Sequence, residues 1–161
     1  MLTAGTAERH NSMLVAWGGL GTLWEMPVAT AYVARARHTH GFMEASDAFT
    51  LAFFPESMRR QYVKFGTVSG RECADKAALA GVTPVAVDGG VTFEEAERTL
   101  VCRKLYSADF ELDRLPEEVA GRMYADPEQL HTIYIGQVTA VLSGRHACRE
   151  ARTSGGCSTC A

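Results

Sequence analysis

Apolar residues in this chain come in short runs rich in β-branched and aromatic side chains, each cut off by glycine or proline. "SMLVAW" at 12–17, "VATAYVA" at 28–34, "TLAFF" at 50–54, "TLVCRKLY" at 99–106 and "HTIYIGQVTAVL" at 131–142 all read as strands, the last being the longest. Asp88, Gly89 and Gly90 supply a turn between two further strand-like pieces. Helical signals occur singly. "PESMRRQYVKF" opens with Pro55, has Glu56 in its first turn and Lys64 near its end; "CADKAALAG" stops at Gly81; "LPEEVAGRMY" covers 115–124. Strands outnumber helices and do not alternate with them, which predicts a mainly β fold, an antiparallel barrel with a few short flanking helices, rather than βαβ units.

The pattern stops at Ser143, so we expect one domain over residues 1–142 and a polar tail over 143–161 that holds three of the five cysteines. A domain of this length and 47% hydrophobic content can bury about two thirds of its unfolded surface. The net charge of -3 argues against a nucleic-acid partner. No run of about eighteen apolar residues predicts a membrane helix, and residues 13–24 lack the flanks of an export signal. Cysteines 73, 102, 148, 157 and 160 form an odd set, which argues against a disulfide scaffold and for a reducing cytoplasm. The tail "CSTC", with Cys148 and His146, could be drawn as a Cys₃His zinc set, but one CxxC is weak evidence and no metal site is expected.

Three stretches could carry chemistry. In "NSMLVAWGGLGTLW", residues 11–24, Gly18, Gly19 and Gly21 lie between two tryptophans, and each glycine costs roughly 0.5–1 kcal/mol relative to alanine in a regular element. A flat aromatic ligand lying against that backbone would account for them; Trp17 and Trp24 as ordinary core aromatics is the alternative. Residues 57–71 carry Arg59, Arg60, Lys64 and Arg71 with no acidic residue, leading into "TVSGRECADK", where Thr67, Ser69, the Gly70 backbone, Arg71 and Lys76 are clustered donors. Such a loop opening a helix suits a phosphate, unless it is a solvated face. Arg35, Arg37 and Thr39 share one side if the strand at 28–34 continues, as ligand donors or as charges guarding a sheet edge. His131 opens the longest strand, where a lone histidine is more often a hydrogen-bonded core residue than a catalyst. GxSxG, HExxH, Walker and GxGxxG patterns are all missing.

The blocks "LTAG…NSMLVAWGGLGTLWEMPVATAYVARARHTHGFMEASDAFTLAFFPE", "SGRECADKAALAGVTPV", "CRKLY" and "HTIYIGQVTAVL", taken in order over about residues 2–142, resemble the flavin reductase-like family with its FMN-binding split-barrel fold. Small flavoredoxins and NAD(P)H:FMN oxidoreductases are the members it looks most like. The resemblance implies a homodimer with FMN at the seam, NAD(P)H as electron donor and an unidentified acceptor. It makes Asn11, Ser12, Met13 and Trp17, which match the family's "N-x-M…W" segment, neighbours of the flavin. Thr30, Ala31, Tyr32, Arg35, Arg37 and Thr39 then fall on the strand along the ring and ribityl chain. Ser69, Gly70, Arg71 and Lys76 fall in the phosphate loop, and His131, with Gly136 after it, lies near the nicotinamide side as the candidate catalytic residue.

The chain departs from the family pattern in places. Similar proteins have further residues before "MLTAG", so an N-terminal element is expected to be missing; "SGRECADK" is longer than the commoner "SGRDxDK"; Ala52 stands where many relatives have serine. The resemblance supports an FMN-dependent oxidoreductase first and a flavoredoxin-like electron carrier without nicotinamide turnover second. If the loop is exposed, Lys76→Ala and Arg71→Ala should weaken FMN retention more than they change the fold.

Overall fold

The computed structural model describes residues 1–144, so Cys148, Cys157, Cys160 and His146 lie outside the described residues. Seven strands form one antiparallel sheet: β1 (Leu2–Gly5), β2 (His10–Met13), β3 (Gly18–Leu23), β4 (Met26–Ala34), β5 (Ala48–Phe53), β8 (Arg98–Asp109) and β9 (His131–Ser143). Their spatial order is β2-β1-β5-β8-β9-β4-β3, while β6 (Pro84–Val87) and β7 (Gly90–Phe93) make a separate hairpin. This is the expected mainly β, antiparallel architecture, with five short α-helices: α1 (His38–Ala45), α2 (Arg59–Tyr62), α3 (Lys64–Thr67), α4 (Lys76–Ala80) and α5 (Glu117–Met123). No helix among the described residues is long and apolar enough to cross a membrane.

Alternation along the longest strands builds the core. On β9, Thr132, Tyr134 and Gly136 face inward with partly exposed residues between them. Tyr134 and Phe49, both fully buried, pack with Leu2, Ala29, Ala31, Val33, Met43 and Cys102. Burial pushes the Cys102 thiol up to about 12, so it stays protonated. A second cluster joins Phe65, Ala77, Ala80, Phe93 and Ala96 beneath α3 and α4. Gly136 belongs to the first core: a Cβ there would lie 2.7 Å from the Phe49 ring and 2.9 Å from the Cys102 Cβ, so packing alone requires a glycine.

Four local expectations change. The strand predicted at 12–17 is only the short β2, and the chain then runs irregularly to Trp17. The glycine run beyond Trp17 is itself strand β3, paired along its length with β4. The strand at 28–34 ends at Ala34, because Arg37 N–H turns back to the Ala34 carbonyl and starts α1. In α1 Thr39 and Met43, four residues apart, both bury, and the Lys104 ammonium closes its C-terminal end on the Met43 and Glu44 carbonyls. The helix expected from Pro55 breaks into a 3₁₀ turn, α2 and α3, neither α-helix having a side-chain cap. By contrast, α4 has the Asp75 side chain at its start and Gly81, at φ 72°, at its end, as its sequence signals imply.

Strands β3 and β4 are joined by Trp24 and Glu25, both at positive φ (51° and 59°). Two-residue hairpin turns of this kind favour Asn-Gly, and each non-glycine residue held there costs on the order of 1 kcal/mol. The strained tip displays Trp24, which is 56% exposed.

Candidate functional site

Three segments distant in sequence converge on one cleft. Strand β2 brings the buried Asn11 and, beside it, Met13; α1 brings Thr39; the loop at 69–75 brings Ser69 and Gly70. The Asn11 amide donates to Thr39 Oγ1 at 2.7 Å, and the Ser12 and Thr3 hydroxyls pair at 2.8 Å. Gly70 sits where a Cβ would come within 2.7 Å of the His38 ring and closer still to the Asn11 amide, so only glycine lets the loop close on β2 and α1. The cleft has a volume of about 330 Å³, and Asn11, Met13, Arg37, Thr39, Ser69, Gly70 and Lys76 all line it. A neighbouring cleft of about 460 Å³ shares Asn11, His38, Gly70 and Lys76 and adds Arg9, His10 and Ser12. Glu72 is the one carboxylate lining the first cleft.

Lys76 departs from the sequence expectation. It is 6% exposed, and its ammonium donates to the Ser12 and Phe65 carbonyls, both at 2.8 Å, above the Phe65 ring. Two of its three N–H groups thus tie β2 to α3, and one remains for the cleft. Burial holds its pKa below the ordinary lysine value. Lys76 is therefore a structural cation as well as a candidate donor, and a substitution there cannot spare the fold.

Positive charge gathers around His38. Its pKa is lowered first by burial and then by Arg71, Arg9 and Lys76. Arg71 is exposed, donates from Nη1 to the Ala36 carbonyl at 3.1 Å, and its backbone N–H reaches Ser69 Oγ. Arg35 is committed differently: its guanidinium pairs with Asp109, which also accepts from the Thr132 hydroxyl. That threonine in turn accepts from His40 Nε2 at 2.9 Å, since its own proton is used on Asp109. The Thr132 hydrogen bond is the main reason the Asp109 carboxyl titrates below its ordinary value.

The remaining candidates lie apart from this cleft. Trp17 stacks on His131 with ring centroids 4.6 Å apart, and Tyr124 meets the same imidazole at 5.8 Å. His131 is half-buried, and burial is the main cause of its lowered pKa, opposed by a hydrogen bond with the Gln129 backbone. Tyr32 packs on Phe110 and its N–H reaches the Trp17 carbonyl. Ala31 is in the core, and the Thr30 hydroxyl turns to the Gly19 carbonyl. Nothing lies within 4 Å of a Cβ at Gly21, and only Thr30 Oγ1, at 3.7 Å, near one at Gly19, so that face of β3 is bare. Sequence reasoning missed Arg9, His38 and Phe65 at the clefts; His38 was hidden because a strand through 35–39 turns it away from Arg37 and Thr39, whereas the first turn of α1 gathers all three. No group of metal-ligating side chains occurs among the described residues.

The family model described as "Flavin reductase like domain" matches residues 1–152. Among solved structures, flavoredoxin from Methanosarcina acetivorans superposes with a TM-score of 0.70 at 16% identity, covering 90% of this chain and 67% of that one. An FMN-binding protein from Thermus thermophilus with bound 1-cyclohex-2-enone gives 0.68 at 22% identity, covering 88% and 67%. Nitrilotriacetate monooxygenase component B from Bacillus cereus gives 0.68 at 15% identity, covering 90% and 68%. The chain thus spans about two thirds of the length of these proteins, and at such identities the likeness is one of fold. No curated protein sequence matches the chain significantly.

Proposed function

This chain belongs to the flavin reductase-like domain family, and from that premise we propose that it binds FMN and works as an oxidoreductase between NAD(P)H and an acceptor. The observation that carries the reading is the convergence of Asn11, Thr39, Ser69, Gly70 and Lys76 on a cleft edged by Arg37. These residues fit a phosphate monoester. They offer hydroxyl, amide and cationic donors, and around His38 the charges of Arg71, Arg9 and Lys76 are close enough to depress its pKa.

In this reading Ser69, the Gly70 amide, Arg37, Arg71 and the remaining N–H of Lys76 hold the phosphate. Asn11, Ser12, Met13 and Thr39 shape the wall towards the ring, with Thr30, Ala31 and Tyr32 following along β4, Ala31 through its backbone only. Arg35 acts through the Asp109 pair that fixes it. Trp17 covers the ring end, and the imidazole of His131, stacked on it, is the group that can hold or deliver a proton there. When bound, FMN supplies a two-electron centre that takes hydride from the nicotinamide and passes the electrons on. Charged hydrogen bonds are worth roughly 1.5–3 kcal/mol each, association costs at least about 4 kcal/mol, and micromolar binding needs about 8 kcal/mol net. At the low end of that range the five donors net only about 3.5 kcal/mol after association, and burial of the ring then supplies the difference.

A second copy of the chain is the cover we propose for that ring. Trp17, Leu20 and Trp24 are 43%, 65% and 56% exposed around β3, next to the bare glycine face. A cytoplasmic setting suits the half-buried Cys73 and the buried Cys102, which form no disulfide among the described residues. The test is the absorption spectrum of the purified chain mixed with FMN, followed by NADH or NADPH under argon. The flavin band should appear with the protein and bleach with one nucleotide. No co-purifying or added FMN at all sinks the reading; FMN that binds but bleaches with neither nucleotide leaves the electron-carrier alternative, which the likeness to a flavoredoxin favours.

A further inference from the structure

Strands β8 and β9 are joined by a long excursion that leaves the sheet at Phe110 and returns at His131, where the Phe110 N–H meets the His131 carbonyl at 2.9 Å. It carries α5, none of whose residues is buried, and of residues 111–129 only Tyr124 is buried, at 6% exposure. A segment this solvated gains little from packing, so the one ring it buries marks where it is anchored. That ring meets the His131 imidazole edge-on, with centroids 5.8 Å apart and planes at 64°.

The imidazole has a second aromatic neighbour of a different kind. Trp17 lies closer to parallel, at 4.6 Å and 35°, but it is 43% exposed and leads into β3, whose residues are almost all exposed. Tyr124 is the better held of the two. Its N–H closes α5 on the Ala120 carbonyl, and the returning chain is fixed to the sheet by the Ala36 N–H on the Glu128 carbonyl and the Arg35 N–H on the Leu130 carbonyl, all at 2.9 Å. The torsion that turns a histidine ring is intrinsically broad, so neighbouring rings rather than the rotamer set the imidazole plane, and stacked and edge-on contacts are the arrangements aromatic rings favour.

We propose that Tyr124 is a positioning residue for His131: its ring, carried on the exposed excursion, fixes the imidazole against Trp17 in the orientation in which it holds or delivers a proton at the ring end. The proposal rests on the reading that places His131 beside the flavin. Tyr124 acts only through the imidazole, and it is the ring that makes the contact, so phenylalanine serves in its place and an aliphatic side chain of similar size does not.

The experiment records the imidazole ring protons of the full chain by NMR without added flavin, in the native sequence, Tyr124→Phe and Tyr124→Leu, with His131→Gln to assign the signals. We expect the His131 ring protons to keep their positions in Tyr124→Phe and to move toward those of free histidine in Tyr124→Leu. In FMN-loaded protein, nicotinamide oxidation should then show kcat lowered about tenfold or more in Tyr124→Leu, with KM within about twofold and recovery in Tyr124→Phe. Unmoved His131 signals in a folded Tyr124→Leu overturn the proposal. So do equal losses of kcat in both variants, which would assign the effect to the hydroxyl, and a loss of stability with kcat unchanged, which would make the ring merely structural. Cross-relaxation between the Tyr124 and His131 ring protons of the native chain reads the contact even if Tyr124→Leu does not fold, and its absence also overturns the proposal. A chain that takes up no FMN, or bleaches with neither nucleotide, fails the functional reading by itself, and the NMR comparison still decides whether Tyr124 fixes the imidazole.

Discussion

The two ends of the proposed flavin site are built differently. At the phosphate end, buried Asn11, Thr39 and Lys76 are locked by hydrogen bonds spanning β2, α1, α3 and α4, and the loop closes on them through Gly70. At the ring end, Leu20 stands on a strand whose residues are almost all exposed, with Trp17 just before it and Trp24 in the strained turn at its tip. One end is built from buried, hydrogen-bonded residues; the other presents apolar surface that no described residue covers. The lesson is that the chain orders its cationic cleft with its own buried contacts and leaves the β3 face open.

Lys76→Met attacks the finished end hardest. It strands the buried Ser12 and Phe65 carbonyls, each worth about 1–3 kcal/mol when left unpaired, so urea unfolding should show a loss of about 2–4 kcal/mol together with loss of FMN. A variant as stable as the native chain would mean that the ammonium does not hold β2 to α3. Gly70→Ala comes next: the added methyl meets the Asn11 amide and the His38 ring, and overpacking of this kind costs about 1–3 kcal/mol, with FMN fluorescence titration showing weaker binding by at least about tenfold. Arg71→Ala separates binding from folding, because the side chain is exposed. FMN affinity should fall about tenfold, the low end for a charged hydrogen bond, with stability within about 0.5 kcal/mol.

Leu20→Glu tests the open end. Stability of the isolated subunit should move by no more than about 0.5 kcal/mol, while sedimentation shifts from dimer to monomer; an unchanged dimer would place the interface elsewhere. The smallest expected effect is on pH. His131 titrates below its ordinary value in the folded chain, chiefly through burial, so the unfolded chain takes up that proton more readily. Its contribution to stability is therefore full above about pH 6.5 and falls as the pH drops below it. Denaturation midpoints at pH 7.5 and 5.5 should lie closer together in His131→Gln than in the native chain, and an equal gap would assign the slope to the other groups whose shifts have the same sign, the Met1 amine and His38.

Much of the fold could be read from local pattern. The β4, β5, β8 and β9 runs, the Asp88–Gly89 turn and the stop of α4 at Gly81 follow from alternation and turn chemistry. Strand β3 escaped because glycines weaken any strand signal, and its pairing with β4 rather than its own composition makes it a strand. Helix α1 escaped because His38 to Ala45 has no capping side chain, no acidic residue in its first turn and no basic one in its last, and it is held by burial of Thr39 and Met43 and by Lys104 from β8. Of the candidate site, the residues at the phosphate end gather as a group, whereas Thr30, Ala31, Tyr32 and His131 lie elsewhere along β4 and β9.

By itself the sequence determined what neighbours along the chain can decide: strand alternation, helix stops, turns, and the presence of a basic, glycine-containing loop. Only the tertiary structure decided that Lys76 is buried under carbonyls, one of them 64 residues away, that His38 stands among arginines, and that the β3 face is left bare. Burial and electrostatic surroundings come from segments brought together in space, and no local pattern encodes which ones those will be.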